Sequence, residues 1–189
     1  MVEPTPWLLL SYKIAPEPAR HRMAVWRKLK ALGAIYLHNG VCLLPMSPDH
    51  IRQMKILAHE VNEMGGDAVL LEASPLDPTQ QERVLTRFRA DRDEAYREFI
   101  ERCGGFDEEI TRETKAGKLT YAELEENDED LKKLKSWFAK IAALDFYAAP
   151  LGEEARKRLV KCEVQLEVFS HQVFEAHLAK DESPNDGAP

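Results

Sequence analysis

Large apolar residues crowd the run from Trp7 to Ile14, which lies between prolines and predicts a buried strand. Leu8, Leu10, Tyr12 and Ile14 alternate with Trp7, Leu9 and Ser11, so both sides of that strand are substantially apolar and both need cover. Pro16 and Pro18 mark a loop. From Ala19 to Leu32 the period becomes helical, with Val25, Trp26, Leu29 and Leu32 forming the apolar face, and Gly33 stops the helix. Ala34 to Leu37 and Val41 to Leu44 predict two short strands. Between them His38-Asn39-Gly40 carries Asn-Gly, a strong hairpin signal. Ser47-Pro48 is a helix start, with a capping serine and proline at the first helical position. Ile51, Met54, Leu57, Ala58 and Val61 then line one face until Gly65-Gly66, and Asp67 to Ala73 predicts a fourth strand.

The order strand, helix, strand, strand, helix, strand closes within residues 1–77 and predicts an α+β, ferredoxin-like βαββαβ domain. Its helices should cover one face of an antiparallel sheet. After Pro78 the pattern turns helical and highly charged, so 78–179 is expected to be a helical bundle or hairpin packed on that domain. Thr79 to Cys103 predicts one long helix, broken at Gly104-Gly105 and resumed from Phe106 to Thr114. The next start is open between Thr120, with Glu123 three residues on, and Asn127-Asp128. Leu131, Leu134, Phe138 and Ile141 mark an amphipathic helix, Asp145 to Pro150 a loop, and Glu153 to Ala179 a final long helix. Residues 180–189 have the composition of a disordered tail.

The 189 residues are 44% hydrophobic and 31% charged, a globular composition. No apolar run approaches the roughly 18–20 residues that span a bilayer, and no signal-peptide pattern opens the chain, so a cytoplasmic protein without membrane partners is expected. Cys42, Cys103 and Cys162 are odd in number and far apart, which argues against a disulfide framework or a CxxC metal site and points to reduced, mostly buried thiols. The net charge of −7 is uneven: residues 1–66 hold eight bases against five acids, a net of +3. A basic first part beside an acidic helical part hints at an anionic partner.

No GxSxG, P-loop, HExxH or dinucleotide fingerprint is present, so no catalytic residue, metal site or cofactor is expected and the chain is not read as an enzyme. The most informative element is the first helix. Arg20, Arg27 and Lys28 lie opposite its apolar face, whereas Arg22 falls on the apolar side, where a guanidinium is costly unless paired. Arg22 either escapes past the sheet edge, or pairs with a carboxylate of Asp91-Arg92-Asp93-Glu94, or holds an anion near the helix N-terminus with Lys13 and Arg20. Lys30 completes the basic set. Such residues are ordinary on a solvated helix face; the rival reading is contact with DNA phosphates. A second ionic cluster, Arg87, Arg89, Arg92 and Tyr96, is either an intrahelical salt-bridge network or an oxyanion- or partner-docking surface.

Several stretches together resemble the N-terminal domain of the ChrB family of chromate-resistance regulators. WLLLSYKIAPEPARHRMAVWRKLKALGAIYLHNGVCLLP is similar to that domain's opening, the helix matching at Arg22, Val25, Trp26, Arg27, Leu29, Lys30, Leu32 and Gly33. GGDAVLLEA resembles its fourth strand, and RFRADRDEAYREF, YAELEENDEDLKKLKSWFAKI and LDFYAAP resemble its helical half. The resemblance implies an oxyanion-responsive transcriptional regulator of a chromate-efflux operon, with promoter DNA and chromate or a related oxyanion as partners. Members of the family commonly carry a further C-terminal domain, while this sequence ends at Pro189; if that part does the sensing, DNA or partner binding is what this part would contribute. The βαββαβ unit also looks like small CRISPR-associated ribonucleases and PaaX-type repressors. The nucleases hold a metal on an aspartate at the end of the first strand, where this sequence has Ser11-Tyr12-Lys13, which argues against metal-dependent cleavage. The alternative function is an oxyanion-handling or protein-interaction module without DNA binding, with the helical part forming a homodimer.

Overall fold

Four strands and five helices succeed one another in residues 6–181, the part of the chain that the computed structural model describes: β1 (Trp7–Lys13), α1 (Ala19–Leu32), β2 (Ile35–His38), β3 (Val41–Pro45), α2 (Pro48–Glu63), β4 (Asp67–Ala73), α3 (Pro78–Lys115), α4 (Tyr121–Ala143) and α5 (Gly152–Asp181). The expected α+β class holds. The tail expected over 180–189 lies, beyond Asp181, outside the described residues. The chain forms two compact units. One comprises the residues up to Asp91 together with Leu144–Ala149, and the other comprises Arg92–Ala143 and the residues from Pro150 onward. The first unit thus takes in the first fourteen residues of α3, and it recruits a loop from much later in the chain.

In the first unit the sheet has the order β2-β3-β1-β4, and every neighbouring pair is antiparallel. In the central strand β1, Leu10 stands opposite both Cys42 of β3 and Leu70 of β4. The alternation within β1 divides its side chains between two cores, as the apolar pattern on both faces predicts. Leu8 and Leu10 join Val25 and Leu29 of α1 and Met54, Leu57 and Val61 of α2. On the other face Trp7, Ile35 and Leu43 join Phe88 from the start of α3, with Phe146 and Tyr147 of the 144–149 loop packed against them. The Trp7 indole N–H donates to the Tyr147 hydroxyl at 2.9 Å, which satisfies the one polar atom of a fully buried ring. Burying each large side chain contributes about 1.5–3 kcal/mol.

Local signals account for the element boundaries. Ser47 accepts the His50 backbone N–H at 3.1 Å and starts α2. Gly33, at φ +77°, ends α1, and a Cβ there would lie 2.9 Å from the Phe146 ring. In the second unit Thr120 accepts the Glu123 N–H at 3.2 Å and opens α4, which settles the choice of start. Asn127 is instead buried inside α4, donating to Glu113 at 2.6 Å.

Gly104-Gly105 does not break α3. Both glycines continue the helix without a left-handed φ. Each costs about 1 kcal/mol relative to alanine, but Cys103, Phe106 and Ile110 around them are buried and hold the helix in place. Also buried in the second unit are Phe99 of α3, Leu131, Leu134 and Ile141 of α4, and Leu166, Phe169 and Val173 of α5. Phe99 meets Trp137 and Phe138 at ring separations of 5.6 and 5.4 Å.

Candidate functional site

At one end of the first unit's sheet lies an open groove of about 700 Å³. The end of β1 supplies Tyr12 and Lys13, β2 supplies Tyr36, and the β2–β3 turn supplies Asn39 and Gly40. The wall is the start of α1, with Ala19, Arg22, Met23 and Trp26. Those four positions follow the spacing i, i+3, i+4, i+7, so they form one flank of the helix. The flank borders the buried stripe of Val25 and Leu29 but opens onto the groove. Met23 and Trp26 are therefore each 44% exposed. The expectation that Trp26 belongs to the buried face is corrected by this geometry.

The turn that closes the groove admits only glycine at position 40. Its φ is +74°, and a Cβ there would sit 2.3 Å from the Tyr12 carbonyl oxygen. The same approach allows the Tyr12 N–H to donate to the Gly40 carbonyl at 2.7 Å. Tyr12 and Tyr36 share a hydrogen bond between hydroxyls, 3.0 Å apart. Burial raises the pKa of both phenols, so they stay protonated at neutral pH and face the groove as neutral hydrogen-bonding groups. Beneath them burial pushes the Cys42 thiol up to about 12.

Among the described residues the groove is lined by positive side chains without a counter-charge. Lys13 and Arg22 line it, both are exposed, and neither has a carboxylate in ion-pair reach among the described residues. The sequence reading offered Arg22 an escape past the sheet edge, an ion pair, or an anion; no pair with 91–94 is present among the described residues. The α1 N-terminus carries Pro18 at its cap, without a side-chain cap and with no acidic residue in its first turn. Negative charge is favourable at such a terminus.

The other expected site residues divide. Lys30 lies two turns beyond Arg22, on the same flank as Trp26. Arg20 and Arg27 are exposed on the far side of α1. Lys28 is committed elsewhere: its ammonium donates to the Glu60 carboxylate at 2.6 Å and ties α1 to α2. In the second cluster Arg87 donates to the Tyr36 and Leu37 carbonyls at 3.3 and 3.1 Å, fastening α3 to the edge strand β2. Arg89 donates to the Tyr147 carbonyl at 3.1 Å and to Glu82 at 2.8 Å. Arg92 and Tyr96 belong to the second unit, where both are buried and Tyr96 stacks near Phe138 at 6.1 Å. Arg92 and Tyr96 therefore offer little exposed surface. Arg87 and Arg89 brace the first unit, and Tyr96 is part of a core.

Three features went unread in the sequence. The Tyr12–Tyr36 pair depends on strand register. A second cavity of about 330 Å³ has Trp7, Leu9 and Leu43 as its floor and His38, Gln80 and Arg83 at its rim. Cys103 and Cys162, expected to be unrelated, are brought together in the second unit. Among the described residues no group of three or more His, Cys, Asp or Glu side chains is placed to hold a metal, and no helix is long and apolar enough to cross a membrane.

An antiparallel four-stranded sheet with helices, bearing a groove lined by Lys13 and Arg22 and followed by a helical unit, defines the class: a two-unit α+β protein. The family model described as "Protein ChrB, N-terminal" matches residues 22–180, and the chain belongs to that family. Protein ChrB of Cupriavidus metallidurans (strain CH34) is 32% identical over 96 residues, which is 51% of this chain. The match covers 29% of that relative's length. The family match opens at Arg22 and includes Trp26 and Lys30, while Lys13 and Arg20 precede it.

Proposed function

We propose that this protein acts in chromate-resistance regulation, as a cytoplasmic transcriptional regulator whose groove receives the phosphate backbone of promoter DNA. The observation that carries the reading is the joint exposure of Lys13, Arg22 and Trp26 on one groove with no carboxylate to neutralise it among the described residues. Cations supply sequence-independent affinity for phosphates, and an exposed aromatic adds contact with sugar or base. Family membership supplies the chromate context. The strand order β2-β3-β1-β4, with β1-α1-β2 spanning the inserted β3, supports a ferredoxin-like reading of the first unit. The proposed role is binding rather than catalysis.

A second reading has one observation in its favour. The uncapped, acid-free start of α1 beside Arg22 suits a tetrahedral oxyanion such as chromate, held by guanidinium and helix N–H groups. A gel shift with a fragment of the chromate-resistance promoter, with and without chromate, separates the two. The regulator reading expects a shift that chromate weakens or abolishes. No shift at low salt in either condition contradicts it, and chromate binding without any DNA shift favours the oxyanion module.

A further inference from the structure

The second unit holds a pair of thiols that the groove does not use. Cys103 lies on α3 and Cys162 on α5, 59 positions apart, and each is only 2% exposed. The Cys162 thiol donates to the Cys103 carbonyl oxygen at 3.8 Å. That bond sets the Cys162 sulfur against the Cys103 residue, across two helices of one unit. Cys42 lies in the other unit. Among the described residues no further His, Asp or Glu joins the two cysteines in a metal-holding cluster.

We propose that Cys103 and Cys162 form a dithiol–disulfide site, oxidised by small peroxides, that covalently joins α3 to α5. A disulfide needs Cβ atoms about 3.5–4.5 Å apart, and a Cys162 sulfur 3.8 Å from the Cys103 carbonyl oxygen lies within a short side-chain movement of that arrangement. Burial selects the oxidant: a bulky disulfide such as oxidised glutathione cannot reach sulfurs this covered, whereas hydrogen peroxide is little larger than water.

The roles of the two sulfurs follow from their surroundings. Cys162 gives up its proton the more readily, because its thiolate would receive the Cys103 S–H bond and lies near the Lys161 ammonium, against the opposing effects of burial and Asp107. The same hydrogen bond, with burial, keeps Cys103 protonated. Cys162 thiolate attacks one peroxide oxygen; the S–O bond forms, the O–O bond breaks, and the departing hydroxide takes up a proton to leave as water. Cys103 sulfur then attacks the Cys162 sulfenic sulfur. The S–S bond forms, the S–O bond breaks, and the second hydroxide leaves as water with the Cys103 proton. Two thiols and one peroxide give one disulfide and two waters, with two electrons passing from sulfur to oxygen.

The site is independent of the groove, and its test uses the full native chain. The protein is exposed to hydrogen peroxide, alkylated, and examined by intact mass and peptide mapping. Two of the three thiols should disappear with the loss of two hydrogen atoms, a Cys103–Cys162 linked peptide should form, and dithiothreitol should restore both thiols. In Cys103→Ser, oxidation should stop at a dimedone-reactive sulfenic acid on Cys162. In Cys162→Ser, the peroxide reaction should slow at least tenfold. Retention of all three thiols in the native wild-type chain, with oxidation only after unfolding in urea, overturns the proposal. So does a linkage that involves Cys42.

Discussion

The two compact units treat their cations differently. In the second unit most exposed bases find acids on the same or a neighbouring helix, among them Arg112 with Glu109, Lys132 with Asp128, Lys133 with Asp130, Arg156 with Glu153, Arg158 with Glu154, and Lys161 with Asp107, while Arg97, Arg102, Lys115 and Lys140 have no ion pair among the described residues. Such exposed pairs each contribute about 0–1 kcal/mol and leave little net field. In the first unit Lys28, Arg52 and Arg89 are paired. Lys13, Arg20, Arg22, Arg27 and Lys30 are not, among the described residues. Charge matched in place serves solubility and helix stability. Charge left unmatched beside a groove, an exposed Trp26 and an uncapped helix start is available to a partner. Position rather than number distinguishes the two sets, since the chain as a whole is acidic at −7.

The sharpest way to break the contrast is to remove the groove's closing turn. Gly40→Ala forces a Cβ into the Tyr12 carbonyl at a left-handed φ. It should cost about 2–3 kcal/mol, read as a lower urea midpoint, and should abolish DNA binding at the temperature where the turn is lost. Wild-type stability in this variant would show that the turn does not constrain the groove.

The next effect should fall on Arg22. Arg22→Ala should weaken DNA binding by about tenfold, or about 1.4 kcal/mol, with a thermal midpoint close to wild type because the side chain is exposed and unpaired among the described residues. Arg22→Lys should recover part of the loss, since an ammonium keeps the charge without the planar fork. Arg27→Ala and Lys28→Ala should bind nearly as wild type, the latter losing only an exposed bridge to Glu60. Fluorescence anisotropy with a labelled fragment reads all four.

The smallest effect concerns the second unit's buried acid. Burial, and then the neighbouring Glu123 and Glu109, raise the Glu113 pKa above the usual carboxylate range, against the Asn127 hydrogen bond. The folded state therefore holds this proton to higher pH than the unfolded chain. Its contribution to stability is complete below the unfolded value near 4.5 and is lost as pH rises through the folded value. Glu113→Gln should flatten that fall and leave the variant slightly more stable at neutral pH, measured as thermal midpoint against pH. A variant whose pH profile matches wild type would remove Glu113 from the account.

How much of this was legible in the sequence depends on how local the cause is. Ala19–Leu32 and Asp67–Ala73 are bounded by prolines, glycines and a period of their own, and the structure keeps those limits. Ser47 caps α2 through a residue three positions away. The groove was half legible. Arg22 stood out as a charge on the wrong side of a helix, but Trp26 read as core because the sequence does not say that its flank of α1 opens onto a groove. Lys28 looked solvated because its partner Glu60 lies 32 positions on. Arg87 looked like part of an ionic cluster because the carbonyls it caps, at Tyr36 and Leu37, are about fifty residues away. Cys103 and Cys162 meet only through the packing of α3 on α5, and Gly104-Gly105 suggested a break at that very place. In each case a contact distant in sequence overruled a correct local rule.

The central claim, that unmatched cations of the first unit meet an anionic polymer, is tested most directly by the salt dependence of DNA binding. Binding of a labelled promoter fragment should be followed across a salt series for wild type, Arg22→Ala and Lys133→Ala, the last a paired base of the second unit. Affinity should fall steeply with salt, on a log–log slope of about −0.9 per phosphate contacted. Arg22→Ala should make that slope shallower by about one contact, while Lys133→Ala leaves it unchanged. A flat slope, or a slope altered by Lys133→Ala and untouched by Arg22→Ala, would contradict the account.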